Sequence, residues 1–248
     1  MEQPRFGPAG TADSFRTLGY KNTLQVPEYL SQFGLTAFEY QCGRGVRVNP
    51  DTAAKLKAKA EEYGITLSLH APYYISLSAI DPERREKSIA YIFDSGSAPK
   101  AMRARRVVVH SGSCSKISRE EALELAKETL KKAQQTLDDH DLGDIILCPE
   151  TMGKFNQLGT LEEVLELCRM EERFLPCIDF GHLNARTLGG MSTREDFAAA
   201  SGLVDHQLGP DRPPRRPLSP LGRRRPSGVA PPGLLPPSGP PSPGSQPP

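Results

Sequence analysis

The sequence of 248 residues lacks tryptophan, and aromatic residues make up only 6% of it. No stretch approaches the roughly 18 apolar residues of a membrane-spanning helix, and the N-terminus lacks a basic segment followed by an apolar one. The five cysteines are scattered and form no C-x-x-C pair, which argues against a disulfide scaffold. We therefore expect a cytoplasmic monomer with no membrane partner, in which the thiols are reduced.

The proline content changes abruptly near residue 200. Residues 1–200 contain 9 prolines and carry a net charge of −3, whereas residues 201–248 contain 15 prolines, 7 glycines and 6 arginines and carry +4. Such a tail buries too little apolar surface to fold, so we expect disorder over 201–248. The preceding helical pattern, STREDFAAA, is predicted to stop at Ser201-Gly202. We interpret the tail as a frameshift product of a G+C-rich gene; the alternative is a genuine proline-rich ligand for aromatic-lined grooves.

Residues 1–200 alternate short apolar runs with amphipathic segments. Strands are predicted near 4–10 and at 35–42, 65–71, 105–112, 144–150 and 174–180. Helices are predicted at 50–64, 83–94, 118–140 and 160–170, with SGSAP interrupting the second of them. This alternation predicts a parallel α/β sheet. Because no G-x-G-x-x-G or P-loop fingerprint is present, we favour a (β/α)8 TIM barrel over an open doubly wound sheet, with about six of its eight units countable.

Polar side chains follow the predicted strands at the point where each strand ends. His70, His110, Glu150 and Asp179 are 40, 40 and 29 positions apart, about the length of one βα unit, and His182 lies in the turn after Asp179. Each histidine taken alone could have a structural role. Their joint placement at one rim predicts a metal site, because imidazole and carboxylate ligands suit zinc, manganese and similar divalent ions.

At these positions the chain resembles the endonuclease IV family within the xylose-isomerase-like TIM barrel superfamily. The similar blocks are LSLHAPYYISL, VVVHSGS, CPETMGK and CIDFGHLNAR, within roughly residues 1–195. The resemblance implies a barrel that holds up to three Zn²⁺ ions, with Mn²⁺ as an alternative. It also implies a hydrolase of DNA base excision repair that cleaves the phosphodiester 5′ to abasic sites.

The resemblance assigns the five candidate ligands to particular ions. His70, His110 and Glu150 would hold one zinc, and Glu150, the implied catalytic residue, would bridge to a second that Asp179 shares. His182 would serve the third. The family draws its remaining ligands from strands seven and eight, and nothing after residue 200 matches them, so we expect weak or absent activity. The incomplete barrel domain would span residues 1–200.

Two further residues are implied to contact DNA. Tyr73 matches the family position that pushes into the lesion, although a tyrosine at a strand mouth also packs structurally, and Arg44 lies near a DNA-contacting loop. The chain departs from the family at Ser111, where proline is usual, and at Phe180-Gly181, where Thr-Cys is more common. The alternatives are a metal-dependent sugar isomerase or epimerase of the same superfamily and a non-enzymatic, proline-rich interaction protein.

Overall fold

The computed structural model describes residues 4–43, 45, 46, 48–209, 218 and 219. The strands are β1 (Ala37–Gln41), β2 (Thr66–His70), β3 (Arg106–Val109), β4 (Ile146–Pro149), β5 (Ile178–Asp179) and β6 (Leu218–Ser219). The helices are α1 (Asp13–Thr17), α2 (Val26–Ser31), α3 (Pro50–Glu62), α4 (Pro82–Met102), α5 (Arg119–Asp138), α6 (Leu161–Arg169), α7 (Phe180–Arg186) and α8 (Arg194–Leu208). In this part of the chain no helix is long and apolar enough to cross a membrane.

The strands lie side by side in the order of the sequence. β1 to β4 form one parallel sheet. A parallel bridge between Glu150 and Cys177 continues it to β5, which pairs in parallel with β6. At the other edge, Ala9 bridges in parallel to Glu39, so the weak first strand predicted near 4–10 has a place beside β1. Sequential parallel strands joined by helices are the arrangement of a βα barrel.

The two faces of the sheet bury different residues. Val107 and Val109 pack into the main core with the helices, whereas Val108, Cys148 and Cys177 belong to a separate cluster. Because successive strand residues point to opposite faces, the second cluster lines the inside of the barrel. Burial raises the pKa of the Cys148 thiol to about 12, which keeps it protonated and suits a packing role.

The predicted start of α5 is confirmed by its cap. Ser118 Oγ accepts a hydrogen bond from the Glu121 N–H (3.1 Å), and the Glu121 carboxylate accepts one from the Ser118 N–H (3.0 Å). Thr160 and Glu163 form the same capping box at α6. Each N-cap is worth about 1 kcal/mol, so these sequence signals fix where both helices begin.

The predicted interruption of the second helix at SGSAP is wrong. α4 runs without a break from Pro82 to Met102. A Cβ built on Gly96 would lie 2.6 Å from Leu137 Cδ2, so this glycine allows α4 to approach α5 closely. Since Ile92 and Met102 are buried in the main core on either side of it, packing outweighs the weak helix propensity of this segment.

The predicted helix end at Ser201-Gly202 is also wrong, because α8 continues to Leu208. Val204 is buried against Leu161, Leu165 and Ile178, and this contact outweighs the roughly 1 kcal/mol cost of a helical glycine. Of the tail predicted to be disordered, 201–208 complete this helix and 218–219 form β6. Residues 210–217 and 220–248 lie outside the described residues.

Candidate metal centre

His70, His110 and Glu150 meet at the carboxyl ends of three neighbouring strands. His70 is the last residue of β2, and His110 and Glu150 directly follow β3 and β4. Glu150 Oε2 lies 3.2 Å from His70 Nε2 and 3.1 Å from His110 Nε2. The two imidazole rings are nearly perpendicular, at 83°. Two imidazole nitrogens therefore converge on a single carboxylate oxygen.

Backbone carbonyls orient both imidazoles. His70 Nδ1 lies 2.8 Å from the carbonyl oxygen of Ala71, and His110 Nδ1 lies 3.4 Å from that of Tyr73. A carbonyl at Nδ1 favours a proton on that nitrogen and leaves Nε2 available as a ligand. Such partners are typical of histidines that bind metals, and they fix the ring plane as well as the tautomer.

A second group of ligands shares Glu150 with the first. His182 Nδ1 lies 3.8 Å from Glu150 Oε1 and 3.6 Å from Asp179 Oδ2. Asp179 ends β5 and caps α7, where its Oδ1 accepts a hydrogen bond from the His182 N–H (2.8 Å). His182 is therefore in a helix rather than in the predicted turn. Within the described residues, the two groups His70–His110–Glu150 and Glu150–Asp179–His182 are the ones that could hold a metal ion.

Thr151, the residue after Glu150, contacts both Asp179 and His182 of the second group. Its Oγ1 accepts a hydrogen bond from the Asp179 N–H (2.8 Å), and its carbonyl lies 2.8 Å from His182 Nδ1. Thr151 is fully buried, so these contacts are shielded from water. The residue after Glu150 thus sets the positions of both other members of its group.

In the first group, the pKa of Glu150 is lowered and the pKa of His70 is raised. Burial alone would raise the pKa of Glu150, but hydrogen bonds from His110 and His70 outweigh it and lower that pKa to about 2. Burial likewise opposes protonation of His70, yet the hydrogen bond and charge of Glu150 raise its pKa to about 9. A metal ion would replace the protons that now stabilise the Glu150 carboxylate. Strong shifts of this kind are common at functional sites.

Sequence reasoning missed Glu39, a carboxylate inside the barrel. It lies on β1, whose Gln41 stands opposite His70, and Gln41 Nε2 donates to Glu39 Oε1 (2.9 Å). Burial raises the pKa of Glu39, the positive charge of His70 lowers it, and the charge of Glu150 raises it again. The available signal was a carboxylate between Phe38 and Tyr40, both of which pack into the main core.

Of the two residues predicted to contact DNA, the structure describes Tyr73. The Tyr73 side chain is 61% exposed, and its ring contacts that of Tyr74 at 5.6 Å between centroids. It lies in the loop that follows β2, on the same end of the sheet as the metal ligands. Arg44 lies outside the described residues.

Comparison with known proteins identifies the fold family. The xylose isomerase-like TIM barrel family model matches residues 27–213. The chain belongs to this family. An uncharacterized protein of Methanocaldococcus jannaschii is 32% identical over 204 residues, which cover 82% of this chain and 71% of that protein. A probable endonuclease 4 of Symbiobacterium thermophilum is 32% identical over 193 residues, which cover 73% of this chain and 68% of that protein. The resemblance to endonuclease IV is thereby confirmed.

Solved structures with a similar fold include an endonuclease and sugar epimerases. Endonuclease IV from Thermus thermophilus superposes with a TM-score of 0.63 at 24% identity, covering 85% of this chain and 74% of that one. D-psicose 3-epimerase from Clostridium cellulolyticum superposes with a TM-score of 0.61 at 16% identity, covering 83% and 68%. At these identities the likeness shows the fold, and the activity has to be argued from the site.

Proposed function

We propose that this member of the family is a zinc-dependent phosphodiesterase that cleaves DNA 5′ to abasic sites. The observation that carries the proposal is the division of Glu150 between two ligand groups. One carboxylate oxygen faces two imidazoles, and the other faces His182. A carboxylate shared in this way can bridge a pair of ions, and such pairs act on phosphate esters. Relatives named as endonuclease 4 support the same proposal.

The donor set fits a borderline divalent ion. Three imidazoles and two carboxylates, with no thiolate, suit zinc or manganese. Ligands about 2.0–2.2 Å from a tetrahedral ion are about 3.3–3.6 Å apart. The separations of 3.1 and 3.2 Å in the first group need only a small opening. The second group is less well prepared, because the His182 nitrogen that lies 3.6 and 3.8 Å from the carboxylates is Nδ1, which also lies 2.8 Å from the Thr151 carbonyl. The His182 ring would have to turn to offer a free nitrogen to an ion.

The residues of the centre would have distinct roles in this reaction. His70 and His110 would hold one ion, and Glu150 would bridge it to a second ion at Asp179. Because His182 lies beside Glu150 and Asp179, we place it at this second ion rather than at the third ion that the resemblance implies. Ions bound there would act as Lewis acids on the phosphate and lower the pKa of water. Glu150, buried and ionised, supplies the negative charge that keeps two cations close together. Exposed Tyr73 would contact the DNA at the rim, and we retain Arg44 as a second DNA contact.

A sugar isomerase or epimerase is the second candidate, and Glu39 favours it. Such enzymes move a proton on a small polyol with a metal and two carboxylates, and Glu39 is a second carboxylate inside the barrel near Glu150. The fold is shared with a D-psicose 3-epimerase. Because the three imidazoles give this centre the character of a phosphoesterase site, we rank the nuclease first.

Two parallel assays separate the candidates. The purified chain, loaded with zinc or manganese, is incubated with a duplex containing one abasic site and with a panel of ketoses. We expect weak incision of the duplex, because nothing in the chain matches the ligands that strands seven and eight supply in the family. This incision should be lost in Glu150→Gln and retained in His140→Gln, because His140 contacts Phe93 and the carbonyl of Thr136 away from the centre. Ketose epimerisation without incision would overturn the proposal in favour of the second candidate.

A further inference from the structure

A polar cavity lies between the loops that follow β2 and β3. Its volume is about 260 Å³. We call it the serine pocket, because four serines line it. Its polar lining is Ser76, Ser78, Asp81, Arg84, Ser113, Ser115 and Lys116. Both loops leave the carboxyl ends of their strands, so the pocket opens at the same end of the barrel as the candidate ligands.

Backbone hydrogen bonds hold the walls of the serine pocket in place. The Ser78 N–H donates to the carbonyl of Ser111 (3.2 Å), and Ser78 Oγ donates to that of Ser113 (2.8 Å). On the other side, Ser88 Oγ accepts from the Ser76 N–H (3.0 Å). Since Ser78 and Ser88 are buried, the first loop is anchored to both the second loop and α4.

Gly112 allows the two loops to meet. Its φ of +111° is in the left-handed region that favours glycine. A Cβ at this position would lie 2.4 Å from Ser78 Oγ and 2.9 Å from Ser76 Oγ. The two hydroxyls therefore stand directly against the Gly112 backbone, two residues from His110. In the described part of the chain, Ser76 Oγ makes no hydrogen bond, so it is available to a ligand.

The charge of the serine pocket is positive. Arg84 and Lys116 form no ion pair with any described residue. One carboxylate, that of Asp81, also lines the pocket, and its Oδ1 accepts a hydrogen bond from the Glu83 N–H (3.0 Å). With two cations and one anion, the pocket carries a net positive charge. Residues 1–200 as a whole carry a net charge of −3.

We propose that the serine pocket binds a phosphate group. Hydroxyl donors combined with a guanidinium and an ammonium match a tetrahedral oxyanion, which accepts several hydrogen bonds at once. The pocket shares the loop after β2 with the centre, because the Tyr73 carbonyl that meets His110 lies three residues before Ser76. The phosphate could belong to the backbone of a nucleic acid or to a phosphorylated sugar. Its binding does not depend on the proposed nuclease activity.

Titration with inorganic phosphate tests the pocket itself. Amide resonances are followed in the wild type, in Arg84→Gln/Lys116→Gln, and in the control Arg105→Gln/Lys131→Gln, which removes one arginine and one lysine outside the pocket. We expect saturable shifts at Ser76, Ser113 and Lys116 in the wild type and the control. The pocket variant should bind phosphate at least about tenfold more weakly, in line with the loss of two charge-assisted contacts. Shifts that do not saturate, or equal affinity in all three proteins, would overturn the proposal.

The same variants identify the source of the phosphate. If it is a nucleic-acid phosphate, the pocket variant should bind an abasic duplex more weakly, and the slope of log affinity against log salt should fall by about 0.9. If it is a sugar phosphate, the variant should bind a phosphorylated ketose more weakly and the unphosphorylated ketose unchanged. Either result supports the pocket, even when no incision of DNA is found. Wild-type affinity of the variant for both ligands would overturn it.

Discussion

The two ligand groups that share Glu150 differ in how closely the fold brings their ligands together. In the first, His70 and His110 lie 3.2 and 3.1 Å from the carboxylate and are mostly buried. In the second, His182 is 38% exposed and stands 3.8 Å from Glu150 and 3.6 Å from Asp179. The first group stands on adjacent strands of one hydrogen-bonded sheet, whereas His182 belongs to α7, a helix of seven residues. The sheet therefore prearranges one candidate metal site, whereas the other depends on a short helix whose histidine is half-exposed.

The largest effect is expected from Glu150→Gln, because this carboxylate belongs to both groups. The substitution keeps the size of the side chain but removes the charge that holds cations at either position. We expect the affinity for zinc to fall at least about 100-fold at both groups. Substituting a residue that only hydrogen-bonds to a metal ligand commonly lowers metal affinity by about 10–100-fold, and Glu150 is itself a candidate ligand. Zinc titration by calorimetry measures the change. If the variant still bound zinc at either group with wild-type affinity, the claim that both groups share this carboxylate would be wrong.

Single histidine variants separate the two groups. His110→Ala should abolish the tighter class of zinc site, and His182→Ala should abolish the weaker class and leave the tighter one nearly unchanged. The reason is the preformed geometry of the first group, which does not involve His182. Zinc content after dialysis against a weak chelator provides the measurement, with His140→Ala as the matched control. If both variants lost the same zinc site, the conclusion that the two groups bind zinc separately would be wrong.

Zinc binding to the first group should strengthen as the pH rises. Burial opposes protonation of His70, but Glu150 raises its pKa to about 9, so the imidazole carries a proton at neutral pH. A metal ion must displace that proton, and the apparent affinity should increase by up to about tenfold per pH unit until the pH reaches about 9. Titrations in metal-buffered solutions between about pH 6 and 9 test this. An affinity that does not change with pH would contradict it.

Thr151→Val should loosen the second group selectively. The substitution removes the hydroxyl that accepts from the Asp179 N–H and leaves this buried donor without a partner. The free energy of unfolding should fall by about 1–3 kcal/mol. Zinc binding at the second group should weaken while the first group is spared. Denaturant unfolding and zinc titration measure both effects, with Thr136→Val as a control on a partly buried helix position away from the centre. Equal weakening of both groups would show that Thr151 supports the whole centre.

Much of the centre could be predicted because barrel strands end at one rim. The spacing of His70, His110, Glu150 and Asp179 by one βα unit was sufficient to place them together. The capping signals at Ser118 and Thr160 likewise mark where helices begin. The assignment of these residues to particular ions stays a prediction.

Other features could not be predicted because they depend on contacts between segments that are distant in the sequence. The continuity of α4 required a close approach to Leu137, which no local pattern of SGSAP reveals. α7 was missed although its signal was present: the D-x-x-H spacing of Asp179 and His182 is an N-cap as well as a pair of ligands. Glu39 was missed because an alternating strand does not say which face lines a site. The frameshift interpretation of the tail and the domain boundary at residue 200 remain predictions.

The most direct test of this account is a crystal structure of the zinc-loaded protein with anomalous data at the zinc edge. The account predicts a strong peak bound by His70 Nε2, His110 Nε2 and Glu150 Oε2. A second, weaker peak should be bound by Glu150, Asp179 and His182. Peaks remote from Glu150, or full zinc binding with neither position occupied, would contradict the central claim that this carboxylate organises the site.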